Sequence, residues 1–520
     1  MAHIPAPSAL PFSGLRLLLG LLLVLLCAAG PSQHEPAATQ APEAANAAAG
    51  NLTPGARLAY AELLKLRIEP ARLLLLEEAK RAPASAGTLL VADCIDFTEL
   101  MIRQDASRYE AVVAAQNRRL AALEKLREPG PLREFARAEI RLHQAAAQVT
   151  YQHEIQGAWS LRQAYQQMQA VVQRYPDFIP ARKTLGMCQF MIGSVPEGYR
   201  WFLKLLGLPG SVAAGVQNLG LAAQKPNDFQ PEARIILALV QETYFKKGEE
   251  SARLVQQLAA QQPDNLLYSY LLLSLNKRLH RTDAALAAYR SRPTGPGYLS
   301  VPYLHHMAAD LLLYQGQYAA STRANQQFLQ DYPGTHYRKD AAFKLYLASW
   351  LSGDDKAAER YRQQINQGGR TVVEEDAYAQ RFFEDRVPLN RTLTRARLQI
   401  DGGYYRPALA TLRGFTAAGG LLRDRLEEPY RRARAYQGLG RLDSARLYYT
   451  RTIALAGKAP YYFGPQSALQ MGYLCQAEGQ LNMARLYFQK VLDSPKHEYK
   501  NSTDAKAKVA LAGLPAAKVR

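Results

Sequence analysis

Residues able to do chemistry are present in this chain, but their spacing does not assemble a reaction. Of nine histidines, only His305 and His306 are neighbours, and adjacent positions on a helix point about 100° apart, whereas a helical metal pair needs i and i+4. Glu374, Glu375 and Asp376 make an acidic run of the kind that solvates a helix face. Cys94, Cys188 and Cys475 lie far apart without C-x-x-C spacing, which signals neither a zinc site nor a disulfide framework. No G-x-S-x-G elbow, P-loop, H-E-x-x-H or G-x-G-x-x-G leading into a helix occurs. The expectation is therefore no catalytic residue, no metal ligand and no cofactor.

Charge and aromatic content say more. Sixty-four Lys and Arg against 45 Asp and Glu leave a net charge of +19, which favours anionic partners at ordinary ionic strength. Tyr is abundant, 30 against 15 Phe and 3 Trp, and the pairs Tyr448–Tyr449 and Tyr461–Tyr462 fall at or just after helical stretches. With 48% apolar and 21% charged residues over 520 positions, the chain has the composition of folded material, either several domains or one long array.

The first residues read as an address. Arg16 precedes the apolar run LLLGLLLVLL at 17–26, with Ala28, Ala29 and Gly30 after it, the order of a secretory signal peptide. The run is shorter than the roughly 20 residues that span a bilayer. A signal peptide over 1–29 and an Ala/Pro-rich flexible linker over 30–55 are predicted, giving an exported protein of the periplasm or cell surface. The alternatives are a membrane anchor through 15–29 or a lipidated Cys27.

What must position any binding residue is a repeated element. GRLDSARLYY at 440–449 returns as GQLNMARLYF at 479–488. The pattern G-x-[large]-x-x-[small] recurs with its small residue at Ser321, Ala358, Ala408, Ala445 and Ala484, at intervals of 37, 50, 37 and 39 residues. Around the last match, Leu469, Gly472 and Cys475 precede the turn, and Leu481, Ala484, Phe488 and Val491 follow it at helical spacing. Each unit reads as two helices joined by a Gly turn, and since a lone pair cannot cover its apolar faces, neighbours must stack.

These units resemble tetratricopeptide (TPR) repeats: Met471, Gly472, Gly479, Ala484, Phe488 and Pro495 take the places of that family's pattern. The resemblance implies an all-α solenoid of helix-turn-helix repeats. Degenerate members fit 150–230 (Ala164, Met168 and Pro176; then Leu185, Gly186, Gly193, Gly198 and Phe202) and 231–300 (Ala252 and Pro263; Ala285 and Tyr289), with regular repeats over 301–515 and an N-terminal helical region over 56–149 as a cap. The repeats run longer than the family's usual period of about 34 residues. The long interval contains the acidic-aromatic insertion EEDAYAQRFFEDR, from Glu374 to Arg386. The Gly-rich segment from Gly193 to Gln224, with Tyr199, Trp201 and Phe202, reads either as a tight helix junction or as a ligand pocket.

TPR arrays bind peptides or helices on a concave surface lined by first helices. The matching positions are Tyr303, His306, Asp310, Phe343, Trp350, Arg397, Tyr430, Arg434, Gln437, Tyr473 and Gln476. The Lys of the family's carboxylate clamp has no counterpart: His306, Phe343, Leu393, Tyr430 and Leu469 stand where it would be, so a co-chaperone role is not implied. The function expected is a non-enzymatic scaffold or adaptor of a bacterial cell envelope, holding a protein or peptide partner, acidic by charge complementarity. Nucleic acid is not expected, for want of a recognition motif. The alternative is a surface or periplasmic binding protein for a glycan or small polar ligand; the poorest reading is an enzyme with an unrecognised site in the first 230 residues. Oligomeric state is left open.

Overall fold

The computed structural model describes residues 51–515 except 82–84, 127–129, 196–200, 202, 204–206, 246, 418 and 498. The predicted export signal and the residues of the linker up to 50 lie outside the described residues, as do Gly198, Tyr199 and Phe202. All regular structure among the described residues is helical.

The described residues fall into two compact units. The first takes Met1–Leu279, Asp283–His305 and Gln327–Thr335. Its helices are α1 (Pro54–Leu64), α2 (Ile68–Arg81), α3 (Ala86–Arg103), α4 (Tyr109–Lys125), α5 (Pro131–Thr150) and α6 (Glu154–Arg174). They continue with α7 (Pro180–Gly193), α8 (Val212–Gln224), α9 (Gln230–Thr243), α10 (Gly248–Gln261), α11 (Leu266–Arg278) and most of α12 (Thr282–Arg290).

The second unit takes His280–Thr282, His306–Gln326 and His336–Arg520. It draws on α13 (Tyr303–Tyr314) and α14 (Tyr318–Asp331), then α15 (Arg338–Ser352), α16 (Asp355–Gln364), α17 (Glu374–Glu384), α18 (Arg391–Asp401) and α19 (Tyr405–Thr411). It ends with α20 (Leu422–Gly438), α21 (Leu442–Ala456), α22 (Phe463–Ala477), α23 (Leu481–Leu492) and α24 (Lys500–Ala512).

The repeat pattern corresponds to real hairpins. Gly316, Gly353, Gly403, Gly440 and Gly479, the turn positions, all have positive φ between 71° and 92°, a conformation that costs an L side chain roughly 1–2 kcal/mol and glycine almost nothing. The small residues that follow are buried at the crossing of each pair: Ser321, Ala408, Ala445 and Ala484 are 0% exposed. Ser321 adds a hydrogen bond from Oγ to the Ala309 carbonyl at 2.8 Å. A Cβ at Gly472 would come within 2.4 Å of the Phe488 ring, so glycine is what lets α22 and α23 approach. Adjacent helix pairs therefore stack as the resemblance implied, and the fold is an all-α array.

Side chains start several of these helices. Ser85, Asn265, Asp354 and Asn390 each accept a backbone N–H of the first turn, which satisfies donors the helix leaves orphaned. At the described ends of the Gly-rich segment two helices cross: Cβ atoms at Gly186 and Gly215 would meet backbone of the facing helix at 2.8 and 2.5 Å, so α7 and α8 pack almost backbone to backbone. Trp201 is 61% exposed there.

The insertion is a helix of its own, α17. It rests on α15 through Ala379 and Phe382, in a cluster with Phe343, Leu347 and Leu398.

Candidate functional site

The predicted partner-binding residues separate into two groups. His306, Asp310, Phe343 and Tyr430 are between 1% and 5% exposed, which corrects their assignment as open anchors. His306 has Nδ1 2.8 Å from Asn325 Oδ1 and Nε2 3.1 Å from Asp340 Oδ2. Lys344 Nζ donates to Asp310 Oδ1 at 2.9 Å. Burial alone would raise the Asp340 carboxyl, but Lys344 and His306 outweigh it and hold it below its usual value. Phe343 lies under Phe382 of α17, ring centroids 4.7 Å apart. Tyr430 is enclosed by Tyr462 and Phe463 at 5.8 and 5.5 Å. The register placed these side chains on first helices; neighbouring elements then closed over them.

The rest are half-buried and present surface: Trp350, Arg397, Arg434, Gln437, Tyr473 and Gln476 in the second unit, and Tyr303 in the first. Arg434 Nη1 donates to Tyr430 OH at 3.3 Å, and Gln437 Nε2 donates to Gln470 Oε1 at 3.2 Å, which ties α20 to α22. Trp350 stacks on Tyr346 at 6.0 Å and carries the Arg391 guanidinium at 5.2 Å from its ring. Arg397 Nη1 donates to Tyr378 OH at 3.3 Å. Tyr473 meets Phe488 edge-on at 5.4 Å.

Behind this surface lies a buried residue that the repeat pattern did not single out. Arg431 is clamped by Glu427 Oε1 at 2.9 and 2.7 Å and donates to Tyr462 OH at 3.1 Å. Arg397 and Arg431 interact electrostatically with both Asp401 and Glu427, and Arg434 with Asp401. Arg423 also acts on Glu427, so the guanidinium groups here outnumber the two carboxylates they face. The i, i+4 spacing of Glu427 and Arg431 was legible as a helical ion pair; that it is buried was not.

A second polar centre, which no repeat motif marks, lies in the first unit. Lys183 of α7, only 1% exposed, lies 2.8 Å from Glu139 Oε1 of α5 and 2.8 Å from Glu232 Oε2 of α9. Thr184 Oγ1 donates to Glu139 Oε2 at 2.6 Å, and Tyr60 OH to Glu232 Oε2 at 2.5 Å. His143 Nδ1 is 2.7 Å from Asp93 Oδ2, and the imidazole stacks on Phe97 at 4.2 Å. The cluster borders a cavity of about 40 Å³, room for about one water. Burial would lower the Lys183 ammonium, yet Glu139 and Glu232 hold it above its usual value, so it stays protonated and is no nucleophile. Burial pushes the Cys94 thiol well up and the Cys188 thiol to about 12, which leaves both unreactive. This centre ties helices together. Its only trace in the sequence was charged residues at core-facing helical positions.

No family model matches the chain, and no curated protein matches it. Solved structures of IFIT1 are similar in trace. One is a monomeric mutant with m7Gppp-AAAA, 14% identical, covering 92% of this chain and 94% of that one at a TM-score of 0.35. Another is the human IFIT1 dimer with PPP-AAAA, also 14% identical, with the same coverage and a TM-score of 0.33. Superpositions this loose carry no argument about the site.

Proposed function

We propose that this protein is a non-enzymatic scaffold that binds a protein or peptide partner rich in acidic and aromatic side chains, along α18, α20 and α22 of its second unit. The observation that carries the reading is the pair of half-buried guanidinium groups of Arg397 and Arg434, held by Tyr378 and Tyr430 and backed by the buried Arg431. Arg and aromatic side chains that are held in place and half-desolvated are the usual anchors of an interface. Arg is also the cation best suited to carboxylates. The signal-like run at 17–26 adds to the proposal a place in the cell envelope, which fractionation of expressing cells tests.

Random poly(Glu,Tyr) serves as a defined acidic-aromatic probe. The parent chain is expected to bind it, and Arg434→Ala with Tyr473→Ala is expected to lose about tenfold or more in affinity with an unchanged melting curve, each true anchor contributing about 2 kcal/mol. Capture of glycans or of an RNA oligonucleotide, with no affinity for the acidic polypeptide, would replace this reading with another.

A further inference from the structure

The interval that contains α17 exceeds each of its flanking 37-residue intervals by 13 residues, the length of the stretch from Glu374 to Arg386. Without that stretch the repeat would keep its period. What was added is an amphipathic helix that buries one stripe, Asp376, Ala379 and Phe382, and exposes Glu374, Glu375, Arg381 and Glu384.

That stripe lies where the repeat register places a partner. Phe382 covers Phe343 and Tyr346 of α15 at 4.7 and 5.1 Å between ring centroids, and Tyr378 meets Phe343 at 5.5 Å. Phe343 is a predicted groove residue that this helix removes from solvent. Tyr378 also accepts the hydrogen bond from Arg397, another predicted groove residue. At one end Asp376 accepts the backbone N–H groups of Tyr337 and Asp340 at 2.6 and 2.9 Å. A carboxylate at a helix N-terminus is what an acidic ligand supplies.

Beyond its buried stripe, α17 packs Tyr378 and Phe383 partly buried on the same cluster and sets Arg381 5.8 Å from the Tyr499 ring. Three of its 11 residues are buried, against ten in α15. It lies between the largely exposed connector 366–372, which holds Gly368 and Gly369 at φ of 75° and 73°, and the exposed residues 385–386. A helix held by few buried contacts between permissive connectors belongs to the low-stability end of a structure.

Resting on the scaffold reading above, we propose that α17 is an internal ligand: it fills the site on α15 and α18 that takes a partner's amphipathic helix bearing a carboxylate six residues before an aromatic side chain, and it is displaced when that helix binds. Self-occupancy lowers the apparent affinity of the free chain by the fraction of molecules in which the site is open.

The experiment uses the full chain and a variant in which 374–386 is replaced by a Gly/Ser segment of equal length. The probe is a fluorescein-labelled synthetic peptide of residues 372–388. The variant is expected to bind the peptide at least about tenfold more tightly than the parent, and a peptide with the changes D376N and F382A is expected not to bind. A variant that unfolds cooperatively but takes up no peptide overturns the proposal. So does one that loses cooperative unfolding, because α17 would then be an integral part of the core. Hydrogen exchange on the parent gives an independent check: amides of 374–386 should exchange faster than those of α15, and equal protection overturns displacement. Failure of poly(Glu,Tyr) binding in both proteins, with the peptide still captured by the variant, would instead remove the scaffold reading along α20 and α22 and leave the α17 site standing.

Discussion

At the scale of single residues, the buried charges make the sharpest predictions. Lys183 sits between Glu139 and Glu232 with almost no exposure, so Lys183→Met strands two carboxylates in the core. The expected loss is about 3–5 kcal/mol, read from urea unfolding. An unchanged midpoint would mean that the three groups are not buried together. Asp376 titrates with the opposite sense to a salt-bridged acid. Burial, chiefly, pushes its carboxyl up to about 6 against the pull of its two backbone N–H bonds, with Asp340 and His306 facing it. The folded state therefore holds the proton more tightly than the unfolded chain, whose value is about 3.9. Stability linked to this group is greatest below the unfolded value and falls as pH rises through about 6, by on the order of 3 kcal/mol across the window. Asp376→Asn should flatten that slope; parallel pH profiles for parent and variant would refute the assignment.

At the scale of elements, the hairpins are held by close approach, so their weak points are steric. Ala484 is fully buried where α22 and α23 cross, and Ala484→Leu should overfill that crossing and cost about 1–3 kcal/mol. Gly440 stands at φ 71° with open space where a Cβ would go. Gly440→Ala therefore tests conformation alone, with an expected loss of about 1–2 kcal/mol by thermal unfolding. A larger loss there would point to a lost contact that the geometry does not show. The repeat pattern made these hairpins legible, because turn glycines and small crossing residues have to recur wherever the same crossing recurs. The identity of α17 as a helix is likewise consistent with its local sequence, but its seat on Phe343 is not a local property.

At the scale of the whole molecule, the net charge of +19 predicts that capture of poly(Glu,Tyr) weakens steeply as salt rises from about 0.05 to 0.5 M, since exposed charges separated by more than about 10 Å are screened already near 0.1 M. Salt-independent capture would place the affinity in the aromatic contacts alone. The all-α array and the places where its regular hairpins turn were legible in the residues alone. Those properties follow from spacing, φ requirements and side-chain size, which are written locally. Which of the predicted groove residues reach solvent is set in three dimensions. His306 and Asp310 were absorbed into an ionic network with α15, Tyr430 was enclosed by rings from α22 and its approach, and Phe343 was covered by α17, while Arg397, Arg434 and Tyr473 stayed half open. The sequence likewise held no sign that Lys183, Glu139 and Glu232, each from a different helix, would meet. Exposure and charge pairing are set by what arrives from distant parts of the chain, and a local pattern carries no record of the neighbour that will cover it.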